Sequence, residues 1–250
     1  MTFCLGIRLK SGIVGISDTR ITSGNETTRA KKVFVLNRKK HSLFIMTSGL
    51  RSIRDKTITY FNEVLEEQDR DFNKLYKAVN ALAEQVRRVN QEDRQSLDES
   101  GLHFNLHAIV GGQLENDDRH KLFMLYPQGN WIEIGQATPY IIIGNTGYGR
   151  PILDRSVTYE SDLKYTLKSA FLSFDATRIS SNDVDYPIDV ILYINNSYHI
   201  IEHRFDEKDL EKISEMWREK IEKGLNELPD DWMDQIFSKV DRQNLDELIP

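Results

Sequence analysis

The sequence predicts an α+β protein built in stacked layers, with antiparallel sheets inside and helices outside. Three observations carry that prediction. Apolar runs such as VFVL and LFIM are near-continuous, as in strands covered on both faces. After Gly49 the apolar spacing changes from strand-like to helix-like, and it changes back near residue 104. The order of elements is strands, two helices, strands, a helix, strands and then helices, an order that stacks layers.

Thr2–Leu9 and Ile13–Asp18 read as two strands joined by a turn at Lys10-Ser11-Gly12. Lys32–Asn37 and Ser42–Thr47 follow in close succession, so the first four strands are expected to form an antiparallel meander. Ile53, Ile58, Phe61, Val64 and Leu65 fall on one helical stripe. Phe72, Leu75, Val79, Leu82 and Val86 repeat it in a second helix that begins at Asp71. Residues 90–101, QEDRQSLDESGL, are so polar that a flexible linker is expected there. Strand patterns return in FNLHAIVGGQL, KLFMLYP, NWIEIG and YIIIGNT, and a helix in ESDLKYTLKSAFLSF. PIDVILYINN and SYHIIEHRF are the last strands, with Asn195-Asn196 as the tight turn between them. Charged amphipathic helices close the chain, and their Trp217, Ile221 and Leu225 stripe is expected on the body of the molecule or on a neighbouring subunit. With no internal repeat and no obvious domain linker, residues 1–206 read as one layered domain and 207–250 as its C-terminal helical extension.

Composition narrows the function. The 250 residues include 33 basic and 39 acidic side chains, a net charge of −6, and 39% are hydrophobic. That balance supplies a core and disfavours nucleic acid or an anionic membrane as partner, because each calls for a concentrated basic patch. Cys4 is the one cysteine, so no intramolecular disulfide and no thiolate metal site is expected. No segment has the length of a membrane span, and the N-terminus lacks the features of a signal peptide. A cytoplasmic location is expected. The histidines show no metal-ligand spacing on a helix, and Gly147-Tyr148-Gly149 is too short for a nucleotide loop, so a helix-start packing role suits it better.

The chemistry concentrates at the start of the chain. A threonine follows Met1 directly and runs into a buried-looking strand. Thr2 is either an ordinary strand start or a nucleophile. Removal of Met1 would leave an α-amine, whose ordinary pKa is about 7.7–8.0, beside the hydroxyl it must activate. A permanent cation nearby would keep more of that amine unprotonated. Lys32 is positioned to supply the cation and Asp18 to hold it charged and oriented. Lys31 is a rival, since strand alternation lets only one of the two face a cleft. Ser48-Gly49 follows the fourth strand at a helix entry, where a free backbone N–H can serve an oxyanion. Cys4 shares a strand face with Thr2 and is expected to be a small buried hydrophobe.

MTFCLGIRLKSGIVGISDTR, AKKVFVL and MTSGL together resemble the start of a proteasome-type β-subunit, an N-terminal-nucleophile hydrolase. SDTR, IGNTGYGRPILDR, SFDATR, PID and a tail ending in LPDDW are similar to the bacterial ancestral β-subunit branch, Anbu. The resemblance covers most of the chain. It implies a four-layer αββα sandwich and threonine-dependent peptide hydrolysis without a cofactor, in a homo-oligomer that is a ring or an open spiral. By position, Thr2 matches the nucleophile, Asp18 the acidic partner, Lys32 the catalytic lysine and Gly49 the oxyanion glycine. A supporting D-x-x-S element corresponds here to Ser180 and Asp183 with the types exchanged, and a turn serine is replaced by Asn145. Those departures also suit a second expectation, a catalytically silent scaffold or binding protein on the same fold. Neither the substrate's side chains nor an unfoldase partner is legible.

Overall fold

Strands β1 (Phe3–Arg8) and β2 (Gly12–Asp18) are buried at every residue, which is why they run apolar without alternation. They pair antiparallel, with Cys4 opposite Ser17 and Arg8 opposite Ile13. Strands β3 (Arg20–Ser23) and β4 (Glu26–Arg29) form a separate hairpin. Next come β5 (Val33–Arg38), β6 (His41–Ser48), β7 (His107–Leu114), β8 (Lys121–Leu125) and β9 (Trp131–Glu133), adjacent in that order in one sheet. The other sheet has the order β10-β1-β2-β11-β12, with β10 at Tyr140–Gly144, β11 at Ile188–Ile194 and β12 at Ile200–Phe205. This computed structural model describes residues 2–23, 26–68 and 72–240. Met1, whose removal the sequence reading expects, lies outside the described residues, as do Asp71 at the expected helix start and residues 241–250 of the extension.

The expected four-strand meander does not form. β1 and β2 belong to one sheet and β5 and β6 to the other, with the β3–β4 hairpin, absent from the sequence reading, at the crossing. The physical reason is that both hairpins are apolar on two faces. Stacked, each buries its inner face on the other; side by side, they would leave one face of each uncovered. Cys4, Ile13, Phe44, Met46, Ile109, Leu122, Ile191 and Tyr193 fill the space between the sheets. The crossing also brings the end of β2 beside the start of β5.

Helices α1 (Arg51–Gln68) and α2 (Leu75–Glu99) cover the outer face of the second sheet, where Ile53, Phe61, Leu65, Leu75, Val79, Leu82 and Val86 join Leu43, Ile45 and Val110 in one cluster. Each such side chain contributes about 1.5–3 kcal/mol on full burial. The first N–H of α2 is satisfied from outside the helix, by Asp117 Oδ2 at 2.9 Å.

Residues 90–99 are helix, not the linker expected from their polarity. Glu, Gln and Arg are good helix formers, and Arg88–Glu92, Arg94–Asp98 and Gln95–Glu99 pair one turn apart along the exposed face. The helix stops at Gly101, where Leu102 N–H reaches back to Leu97 O at 2.9 Å.

On the first sheet lie α3 (Arg150–Ser156), which begins where Gly147-Tyr148-Gly149 is expected to pack a helix start, and α4 (Leu163–Ser180), capped by the Asp162 side chain. Phe174 of α4 meets Phe3 edge-on at 6.0 Å. Gly149 caps α3 and lies against Ser173. The layers are therefore helix, sheet, sheet, helix, as the sequence predicts.

The chain divides after Glu207 into a large unit and a small one. α5 (Glu207–Asn226) leads into the small unit, which continues through a 3-10 turn at Asp231–Met233 to α6 (Asp234–Phe237). Met216, Ile221, Leu225 and Trp232 are exposed. Among the described residues no helix is long and apolar enough to cross a membrane.

Candidate active site

Thr2 stands at the entry to β1 and is held from two sides. Its carbonyl accepts the Asn145 backbone N–H at 2.7 Å, and the next N–H, that of Phe3, donates to Asp18 Oδ1 at 2.9 Å. β1 pairs with β10 so that Phe3 faces Gly144. Gly144 has φ +91°, and a Cβ there would sit 1.9 Å from the Thr2 carbonyl oxygen. Only glycine allows β10 to lie this close to the first residue of the strand.

Asp18 ends β2, and Lys32 immediately precedes β5 on the other sheet. Their side chains meet at the crossing, Lys32 Nζ to Asp18 Oδ1 at 2.7 Å. The two are 3% and 0% exposed. Burial pushes the Asp18 carboxyl up from its ordinary value, and the Lys32 ammonium, with the Phe3 N–H, opposes that rise. Lys31 takes the opposite direction and pairs with Glu202 on β12.

A cavity of 520 Å³ opens over these groups, lined by Thr2, Lys32 and Gly49 among others. Asp18 lies beneath its wall. Gly49 follows β6 with φ +139°, and its turn is clamped by Asn105, whose side chain accepts the Leu50 N–H at 3.3 Å. Cys4, two residues along from Thr2, packs between the sheets with its sulfur 3.2 Å from Ser17 Oγ. Burial pushes its thiol up to about 12, so no thiolate forms near neutral pH.

Of the remaining residues picked from the sequence, Asn145 contributes its backbone N–H to Thr2, and neither Ser180 nor Asp183 lines the cavity. Ser180 is the exposed last residue of α4. In the same loop Asp185 pairs with Arg20 of the cavity lining at 3.0 Å. Sequence reasoning missed Arg20, Arg51, Arg54, Asn105 and His107 in the lining. Arg20 stood inside the quoted SDTR and carried a signal. Asn105 and His107 had none, because only the β6–β7 pairing, Ser48 opposite His107, brings them in.

A family model described as Proteasome subunit matches residues 2–182. No curated protein matches the sequence. Solved structures similar to the chain include Anbu, the ancestral β-subunit, from Yersinia bercovieri, 28% identical with a TM-score of 0.84 over 91% of this chain and 97% of that one. An Anbu Gly-1 mutant from Hyphomicrobium sp. strain MC1 is 27% identical, with a TM-score of 0.84 over 92% and 98% of the two chains. The helical assembly of the Anbu complex from Pseudomonas aeruginosa is 27% identical, with a TM-score of 0.83 over 91% and 97%.

Proposed function

We propose a function from one premise: the chain belongs to the proteasome subunit family. It is an N-terminal threonine hydrolase of peptide bonds, working from Thr2 once Met1 is removed. The observation that carries this reading is the buried Lys32–Asp18 pair under the cavity that Thr2 lines. Two charges taken out of water cost several kcal/mol each, and their attraction seldom returns the whole of it. Such a pair is a poor stabiliser. Its place beside a candidate nucleophile gives it a use, namely a fixed positive charge held where an α-amine must stay unprotonated.

In the proposed cycle the Thr2 Oγ–H proton passes to the Thr2 amine while Oγ bonds to the substrate carbonyl carbon. The carbonyl oxygen takes the negative charge and is met by the Gly49 N–H. Collapse breaks the C–N bond, and the ammonium returns its proton to the departing amine. Water, deprotonated by the same amine, then attacks the ester, releasing the acid and restoring Oγ–H. Lys32 keeps its proton throughout, and Asp18 orients it. This sequence asks for no metal or organic cofactor. The substrate is a peptide or protein, and the setting is the cytoplasm.

The Pseudomonas relative's helical assembly supports self-association for this chain too, as do Met216, Ile221 and Leu225 exposed on α5. A second reading, a silent scaffold of the same fold, draws on Ser180 and Asp183 lying off the cavity lining.

Intact mass before and after treatment with a panel of peptide epoxyketones separates the two, because that warhead reacts with a hydroxyl and a free α-amine together. The enzyme reading expects loss of one methionine and a single adduct on Thr2, with no adduct and no turnover for Thr2→Ala. Retained Met1, or undiminished turnover by Thr2→Ala, sinks it.

A further inference from the structure

We infer that the cleft beside Thr2 selects an acidic side chain on the residue whose carbonyl is attacked, with Arg54 as the group that reads it. This assignment rests on the hydrolase reading for the name of the position, while the recognition itself requires no catalysis. Four basic side chains, Arg20, Lys32, Arg51 and Arg54, line the cavity, and no carboxylate lines it among the described residues.

Their compensation lies elsewhere. Asp18 neutralises Lys32 from beneath, and Asp185 pairs with Arg20. On α1, Arg51 and Arg54 share the single carboxylate of Asp55. Arg54 Nε and Nη2 reach Asp55 Oδ1 at 2.8 and 2.7 Å, and Arg51 Nε reaches Oδ2 at 3.2 Å. Two guanidiniums against one carboxylate leave a positive excess on this wall. Asp55 is 52% exposed, so its share of the compensation is weakened by water, whereas the Arg54 side chain is only 13% exposed.

Arg54 also occupies a commanding place. With Lys32 and Thr47 it lines both the Thr2 cavity and an adjoining cavity of 290 Å³ that runs between α1 and β5, where Lys31 and the Asp55 carboxylate also stand. A side chain following the attacked carbonyl into this space meets a guanidinium with little water around it. A carboxylate takes two of its forked donors. An amide of the same shape forms weaker bonds, and a lysine or arginine is repelled.

The test is equilibrium binding of fluorescein-labelled peptide amides ending in Leu-Leu-Glu or Leu-Leu-Gln to the whole chain, read by anisotropy. The glutamate peptide is expected to bind about tenfold or more tightly, the range for a hydrogen bond to a charged group. Added salt should erode that preference. Arg54→Gln should bring the ratio near unity, and Arg54→Lys should keep part of it. A wild-type ratio near unity, no binding of either peptide, or a ratio untouched by Arg54→Gln overturns the assignment. So does equal binding of a Leu-Leu-Leu peptide with a free C-terminal carboxylate, which would give the charge to a chain end. The wild-type ratio and its salt dependence stand even where a variant folds poorly. Acid-selective binding without any epoxyketone adduct on Thr2 would leave this inference intact and remove the hydrolase reading.

Discussion

Gly49 excludes a side chain for two independent reasons. Its φ of +139° is open to glycine alone, and a Cβ would lie 1.9 Å from the Asn105 carbonyl oxygen. Gly49→Ala is therefore expected to lose about 1–3 kcal/mol of stability, seen as a lower urea midpoint at unchanged slope. It should lose epoxyketone labelling as well, because the turn that presents the backbone N–H must move. Labelling at the wild-type rate would separate Gly49 from the chemistry. Residue-scale reading of the sequence reached Thr2, Asp18, Lys32 and Gly49, all within the first 49 positions, where strand ends and a helix entry mark them. It could not reach Arg54, which sits in an ordinary amphipathic helix and differs from other surface arginines only by what faces it.

Among the elements, α1 and α2 are held together outside the core by a charged clamp. Lys56 Nζ lies 2.8 Å from Glu92 and 2.7 Å from Asp93, and the Arg88 guanidinium stacks 3.9 Å over the Tyr60 ring. The Lys56 hydrogen bond, with that of Tyr60, holds the Glu92 carboxyl down at about 2. A carboxyl lowered in the folded state stabilises it above the ordinary value of 4.5 and loses that contribution as the pH falls toward 2. Thermal melts should show Glu92→Gln below wild type at pH 6, by a small margin because the clamp is solvent-exposed, with the gap closing as the pH drops through that window. A gap constant with pH would make Glu92 a packing residue. The same clamp bears on the misread linker. Polarity over residues 90–99 marks the free face of a long helix whose inner face is already anchored through Val89.

The whole molecule depends on where the chain changes sheets. Both apolar hairpins are legible in the sequence, and so is the layered order, but the crossing through β3 and β4 is not. Without the crossing, Asp18 and Lys32 would sit on neighbouring strands of one sheet and no cavity would open above them. Self-association belongs to this scale too. Sedimentation of the purified chain is expected to show species several times the mass of one chain, and Thr2→Ala should assemble in the same way because Thr2 is buried at the cavity and not on an exposed face. A monomer at all concentrations would contradict the assembly proposed from the relatives.

By itself the sequence determined the layer order, the strands and helices with strong apolar periodicity, and a nucleophile candidate with its nearby partners, since these follow from local spacing and residue chemistry. Tertiary structure alone decided which strands share a sheet, that residues 90–99 continue a helix, and that Arg20, Arg54, Asn105 and His107 wall one cavity. Such outcomes depend on which apolar faces cover one another, a property of the assembled layers that no single stretch of chain contains.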